Sequence, residues 1–381
     1  MHQNMVLLDD NLNPDGTSYL FENPIEIISA YEAKDVPAAL SKIEYAAYQG
    51  HYIAGFFAYE LGYIFEEKLC GLLPKNLSGP LLWVGVYEHR QSMAANETGI
   101  WLQPHEHEPY CLEHTGATFD RTTYSDLFDR VKHYIAAGDI YQLNLTFKAG
   151  FTFSGSPLAL YCALRKRQNV AFGGVVLTPD FNILSLSPEL FIRIKDRVIE
   201  GRPMKGTAPR GDTTKHDEKL KVWLATDEKS RAENLMILDL LRNDFSRIAE
   251  TGSVNVPDMF TIETYSTLHQ MTSGVQAKLR PGTGLHHIIR SLFPCGSITG
   301  APKIRAMEII RELEPEPRGI YTGAIGMISP NGDMCFNVAI RTAVISSGGT
   351  GEIGIGSGLV SDSKADDEYD ECLLKLRFLT P

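Results

Sequence analysis

Several stretches of this sequence hold residue types that could do polar chemistry on a small anion. In Arg202-Pro-Met-Lys-Gly-Thr-Ala-Pro-Arg210 a single lysine lies in a loop bounded by prolines. Gly206 beside it lets another group approach the backbone closely. If Arg202 and Arg210 crowd Lys205, they depress its pKa and free a nucleophilic amine. A solvated basic turn accounts for the same residues. In Ser187-Pro-Glu-Leu-Phe191, Glu189 is a lone carboxylate among apolar neighbours. Burial would raise its pKa and suit it to general-acid work; a strand end facing water is the plain alternative. Glu233 shares a helical stripe with Met236, Ile237 and Leu240, and a carboxylate on such a stripe needs a partner. Glu368, Glu371 and Lys375 fall on one helix face. They could present two carboxylates to a hard cation and an ammonium to an anion, although surface Glu–Lys pairs at this spacing are common. Ser297-Ile-Thr-Gly-Ala-Pro302 reads as a helix opening, with Pro302 in the first turn and Thr299 as cap. Free amides there would bind an anion. Arg341, at a strand end, could clamp a carboxylate with two hydrogen bonds. Together these groups describe a pocket for a dianionic small molecule held by Mg²⁺ and cations. A Mg²⁺ ion takes one or two carboxylates plus substrate oxygens, so glutamates far apart in sequence can meet at one ion.

The elements that must position these residues follow from apolar spacing. Helices are expected over residues 36–49, 122–137, 229–250 and 365–379, and strands over 52–59, 81–87, 139–153 and 351–360. Residues 69–80 read as loop. Residues 91–118 are polar, show no clear period, and read as a connection. Residues 319–346 read as a hairpin, two strands around the turn Pro330-Asn-Gly-Asp333. Hairpins mixed with helices, without strict βαβ alternation, point to an α+β fold with a largely antiparallel sheet. The chain is expected to divide into an N-terminal variable part, 1–118, and a catalytic region, 119–381.

Composition excludes several classes. The 381 residues carry 36 Lys and Arg against 47 Asp and Glu, a formal net charge of -11. That argues against nucleic-acid binding, which needs cationic surface to displace counterions. The six cysteines include no C-x-x-C pair, so neither a zinc knuckle nor a disulfide framework is expected. With no apolar run long enough to span a membrane and no signal-peptide pattern at the N-terminus, a cytoplasmic protein is expected. Gly354, Gly356 and Gly358 lack the spacing of a dinucleotide loop, and no metalloprotease or nucleophile-elbow motif occurs.

Six ordered segments carry a family resemblance. They are Gly138-Asp-Ile-Tyr-Gln142, Pro203-Met-Lys-Gly-Thr207, the run from Ala232 to Asp244, Gly296-Ser-Ile-Thr-Gly-Ala-Pro-Lys303, Tyr321-Thr-Gly-Ala-Ile-Gly326 and Glu368-Tyr-Asp-Glu371. They resemble the chorismate-utilising enzymes over roughly two thirds of the chain. The resemblance implies one fold of packed antiparallel sheets with outer helices and a Mg²⁺–chorismate site. Isochorismate and salicylate synthases carry a water-activating lysine where this chain has Gln142, and anthranilate synthases usually carry alanine where it has Lys205. Gln142 with Lys205 is similar to the aminodeoxychorismate synthase branch, in which the lysine attacks ring C2 before ammonia enters at C4. Anthranilate synthase component I and a non-catalytic binding protein are the alternatives. The resemblance further implies Glu189 as the acid for the C4 hydroxyl, and Glu233, Glu371 and nearby Glu368 as metal ligands. It places Gln142, Thr207, Thr299, Tyr321, Arg341, Gly358 and Lys375 around the substrate. A separate glutamine amidotransferase subunit would supply ammonia. Where many relatives have a histidine before Leu-Val-Ser, this chain has Gln270, preceded by His269.

Overall fold

This computed structural model describes residues 4–265 and 268–379. Among them, two antiparallel sheets of ten strands each carry the α+β architecture. Strict alternation sets which side chains fill which layer. Val6, Val176 and Ile183 of the first sheet meet Ala54, Phe56, Ile325 and Met327 of the second in one apolar cluster between the sheets. Their chain neighbours Leu7, Val175, Leu177 and Leu184 face outward, under the helix Pro157–Arg167. On the far side of the second sheet, Ile53, Phe57 and Ile328 pack with the helices Val36–Tyr48, Glu228–Ser246 and Lys303–Leu313. Burial on both faces explains why these strands read as unbroken apolar runs.

Residues 1–118 do not form a layer of their own. Met5–Asp9, Thr17–Phe21 and Gln91–Ala94 extend one edge of the first sheet, and Glu26–Ala30, Tyr52–Phe57 and Leu82–Tyr87 one edge of the second. The stretch 91–118, expected to be an irregular connection, instead contains the strand Gln91–Ala94, the helix Ala95–Leu102 and the strand Tyr110–Ala117. Tyr110–Ala117 pairs with Gln142–Gly155. Its outward residues are polar, so pairing rather than apolar period makes it a strand.

The expected hairpin over 319–346 is only half right. Ala324–Ile328 and Met334–Asn337 pair around the Pro330–Asp333 turn, where Gly332 takes φ 85°. The chain then leaves for the other sheet, where Thr342–Ser346 pairs with Phe181–Ser187. A parallel event occurs after Phe181–Ser187, because Leu190–Lys195 belongs to the second sheet, beside Met334–Asn337. One two-stranded ribbon thus passes from sheet to sheet. The two crossings are laced together: the Val338 amide donates to the Glu189 carbonyl (3.0 Å) and the Ser187 hydroxyl to the Val338 carbonyl (2.5 Å).

A buried polar knot fixes the region behind this ribbon. Arg318 is 3% exposed. Its guanidinium donates to both Glu314 oxygens (2.7 and 2.8 Å), to the Asn144 carbonyl (2.7 Å) and to the Ile298 carbonyl (2.8 Å). Glu60, fully enclosed nearby, accepts from the amides of Arg318 (2.7 Å) and Gly319 (2.9 Å). Burial pushes its carboxyl up from 4.5 to about 7. A carboxyl raised on folding gives stability that is complete below the unfolded pKa and is lost as pH rises through the folded one. Wild-type protein should therefore lose up to about 3 kcal/mol between roughly pH 4.5 and 7 from this group. Urea unfolding at pH 5 and pH 8 should show a smaller difference in Glu60→Gln. An identical pH dependence in both proteins would remove Glu60 from the account.

Candidate active site

The strand Met204–Pro209 pairs with Leu268–Lys278, but the register slips between Met204 and Thr207. The slip leaves Lys205 and Gly206 outside the ladder, with Gly206 at φ 88°. Such a bulge re-aims its side chain. Lys205 is aimed at Gly358 on Thr350–Leu359: a Cβ there would stand 3.0 Å from Lys205 Nζ and 3.1 Å from Gln142 Nε2. Gln142 is fully buried, yet among the described residues neither its Nε2 nor its Oε1 has a hydrogen-bond partner. A native buried amide left unpaired marks a place where a ligand belongs. The alternate glycines 354, 356 and 358 now have a cause. They strip one strand face of side chains, so that Tyr321 packs on Gly354 while Lys205 and Gln142 meet over Gly358.

The arginines flanking Lys205 do not act as expected. Arg202 is held by Asp258 (2.6 Å) and Glu263 (3.2 Å), and Arg210 by Asp217 through two contacts (2.8 and 2.9 Å). Their charge is neutralised by carboxylates, so they brace the loop instead of tuning the lysine.

Glu189 lies in the first crossing, enclosed at 7% exposure. Beside it is a small cavity lined by Pro203, Ile237, Leu240 and Cys295. Burial raises its pKa; a hydrogen bond from the Ser297 hydroxyl to Oε1 (2.7 Å) and the charge of Lys205 pull it partly back. Ser297 was not singled out in the sequence; a hydroxyl in the Gly296–Lys303 motif was its only signal. Arg341 lies in the second crossing, at φ 50°. Desolvation alone holds its guanidinium below the ordinary value, and among the described residues no carboxylate pairs with it. An arginine desolvated without a partner is poised for an anionic ligand.

The carboxylates sort unevenly. Burial raises Glu233, Lys205 and Lys229 pull it down, and Asp362 and Glu368 raise it further. Glu368 accepts from the Ser363 hydroxyl (2.6 Å). Glu371 is turned to Lys375 (2.7 Å), which also donates to the Gly356 carbonyl. Among the described residues no three acidic, histidine or cysteine side chains converge as a metal cluster. The donor set still suits Mg²⁺, which takes one or two carboxylates. Glu368 raises the cost of ionising Glu233, and the Glu371–Lys375 pair is exposed and hence easily exchanged.

One further expectation changes. The helix Lys303–Leu313 starts at Lys303 with Pro302 as its N-cap residue, and no side chain caps it. Thr299 donates backward to the carbonyls of Cys295 (3.1 Å) and Gly296 (3.2 Å), closing the turn before the short strand Gly300–Ala301. Thr207 is exposed and donates to Gln270 Oε1 (3.0 Å). Strand alternation sets His269 and Gln270 on opposite faces. His269 is fully buried on the opposite face, bridging Thr264 (3.0 Å) and Asp217 (2.9 Å), while Gln270 faces the Lys205 bulge. A larger cavity of about 510 Å³, lined in part by Leu8, Tyr19, Arg90, Phe172 and Asn337, lies between the sheets and includes none of these candidate residues.

A half-buried lysine, a buried acid, an unpaired arginine and a bare strand face suit a small dianion, and sequence relationships name the class. Residues 7–381 match the model of the chorismate binding enzyme family, and the chain belongs to that family. Aminodeoxychorismate synthase component 1 of Bacillus subtilis is 36% identical over 363 residues, covering 87% of this chain and 76% of that protein. Its namesake in Escherichia coli is 37% identical over 339 residues, covering 84% and 74%. The crystal structure of anthranilate synthase component I from Streptococcus pneumoniae superposes with a TM-score of 0.83 at 25% identity, covering 97% of this chain and 93% of that one.

Arg341 gives a test that separates binding from folding. Removing a desolvated, unpaired charge should stabilise the apo protein, so Arg341→Met should unfold about 1–2 kcal/mol later in urea. The same variant should lose chorismate binding in calorimetry. Retained affinity would exclude Arg341 from the anion site.

Proposed function

We propose that this chain is the chorismate-aminating component of an aminodeoxychorismate synthase, converting chorismate and ammonia to 4-amino-4-deoxychorismate on the way to p-aminobenzoate. The meeting of Lys205 Nζ and Gln142 Nε2 over Gly358 carries this reading, and the names of the Bacillus and Escherichia relatives support it. The amine of Lys205 adds to ring C2 while the C4 hydroxyl departs as water, taking a proton from Glu189. Ammonia then bonds to C4, the C2–Nζ bond breaks, and the lysine is regenerated; the sum replaces hydroxyl by amine. Splitting one substitution into two covalent steps lowers the barrier to each. The raised pKa of Glu189 suits a proton donor. Arg341 and Tyr321 hold the enolpyruvyl carboxylate.

Glu233, Glu368 and Glu371 would hold Mg²⁺, the last by releasing Lys375. When bound, the ion would neutralise the ring carboxylate. Ammonia would come from a glutamine amidotransferase subunit, since the relatives are named as component 1 of their enzymes, and the reaction belongs in the cytoplasm. The overall likeness to an anthranilate synthase component I favours a second reading, amination at C2. Incubation with chorismate, Mg²⁺ and ammonia, with and without aminodeoxychorismate lyase, decides between them. A fluorescent product formed without lyase would favour anthranilate.

Two substitutions test the assignments of residues. Lys205→Ala should lower aminodeoxychorismate formation by orders of magnitude, with stability changed by only about 0.5 kcal/mol. Near-normal product formation would reduce Lys205 to an electrostatic contact. Glu233→Gln and Glu371→Gln should each abolish Mg²⁺-dependent turnover with the fold intact. An unchanged Mg²⁺ titration in both would sink the metal assignment.

A further inference from the structure

The bulge that aims Lys205 creates a problem of its own. Antiparallel strands hold their backbones by regular exchange of amide and carbonyl hydrogen bonds. Lys205 and Gly206 fall in the slip between the Met204–Thr272 and Thr207–Gln270 pairs and so lack ladder partners. Gly206 also adopts φ 88°. A side chain is barred there, because a Cβ would come within 2.7 Å of Ser230 Cβ. Glycine is the residue with most backbone freedom to lose. The peptide carrying the candidate nucleophile is therefore the least constrained point of its strand.

One side chain supplies the missing rung. Gln270 Nε2 donates to the Gly206 carbonyl at 2.8 Å, and Gln270 Oε1 accepts from the Thr207 hydroxyl at 3.0 Å. Both ends of one planar amide thus grip two successive residues, immediately after Lys205. The neighbouring His269 cannot take over, since it faces the other side of the strand and is occupied by Thr264 and Asp217.

We propose that Gln270 is a positioning residue: by bridging Gly206 and Thr207 it holds the bulge in the one geometry that keeps the Lys205 amine over Gly358, within reach of the substrate ring. The inference rests on Lys205 being the nucleophile. Gln270 acts through Lys205 and spends both polar ends inside the protein, so it affects the covalent step and leaves substrate affinity alone.

The test uses the full chain with Mg²⁺ and chorismate but no ammonia, following the chorismate-derived adduct on Lys205 by mass spectrometry. Gln270→Leu removes both hydrogen bonds at similar volume. Misplacement of a reacting group by about 1 Å costs about 100-fold, so adduct formation should slow by about 10- to 100-fold. With ammonia present, kcat should fall in parallel while KM for chorismate stays within about twofold. Gln270→Glu keeps the acceptor for Thr207 but loses the donor to Gly206, and should not rescue the rate. An undiminished adduct rate in Gln270→Leu overturns the proposal, as does a rise in KM at constant kcat, which would mean direct substrate contact. If Gln270→Leu does not fold, Thr207→Val removes one of the two bonds from an exposed position. It should slow the adduct less but measurably, and no slowing there is equally fatal. Absence of any adduct in the unmodified enzyme overturns the nucleophile reading and this inference with it. Adduct in the unmodified enzyme with an unchanged rate in Gln270→Leu overturns the inference alone.

Discussion

The passage of one two-stranded ribbon between two sheets is the constraint on which the site depends. Phe181–Ser187 pairs with Thr342–Ser346 in the first sheet, and Leu190–Lys195 with Met334–Asn337 in the second. A chain that changes sheets must break its ladder, and broken backbone groups need new partners. Here the two crossings satisfy each other through Val338, Glu189 and Ser187. The cost is a stretch of irregular backbone in the interior, with Arg341 in the left-handed region. The gain is that Glu189 and Arg341, 152 residues apart in numbering, occupy neighbouring crossings. An acid and an anion-binding cation are thereby set on rigid, mutually braced backbone instead of on free loops.

Pairing distinguishes the cations that hold the fold together from those that serve chemistry. Arg318 is buried with Glu314, half-buried Arg202 pairs with Asp258 and Glu263, and exposed Arg210 pairs with Asp217. Each is neutralised at short range, and for Arg318 burial demands it. Lys205 and Arg341 have no such partner among the described residues, and Gln142 is a buried amide with both ends idle. Unsatisfied groups in the interior are expensive in an empty protein, and here Lys205 and Gln142 meet over one bare glycine face. Burial raises the pKa of Glu233, and the charge of nearby Glu368 raises it further. The candidate site is thus electrostatically incomplete in itself.

The sequence alone determined the chemistry-bearing residue types, the α+β class and the elements of strong period. Val36–Tyr48, Arg121–Ala136 and Glu228–Ser246 were legible because apolar residues recur at three and four. The Pro330–Asp333 turn was legible because Asn-Gly favours positive φ. Tyr110–Ala117 was not, since its strand character comes from a neighbour 30 or more residues away and leaves no local period. Only the tertiary structure decided that 342–346 leaves its apparent hairpin for the other sheet, because strand partnership is a long-range contact that local patterning does not encode. The same holds for charge. The sequence placed Arg202 and Arg210 beside Lys205, but Asp258, Glu263 and Asp217 arrive from elsewhere and quench them. It offered Thr299 as a helix cap, but the turn's own carbonyls, at three and four residues back, capture its hydroxyl. The glycines at 354, 356 and 358 were visible as a pattern, yet their purpose depended on what the fold laid against them: residue spacing specifies a bare strand face, and only packing specifies that Lys205, Gln142 and Tyr321 fill it.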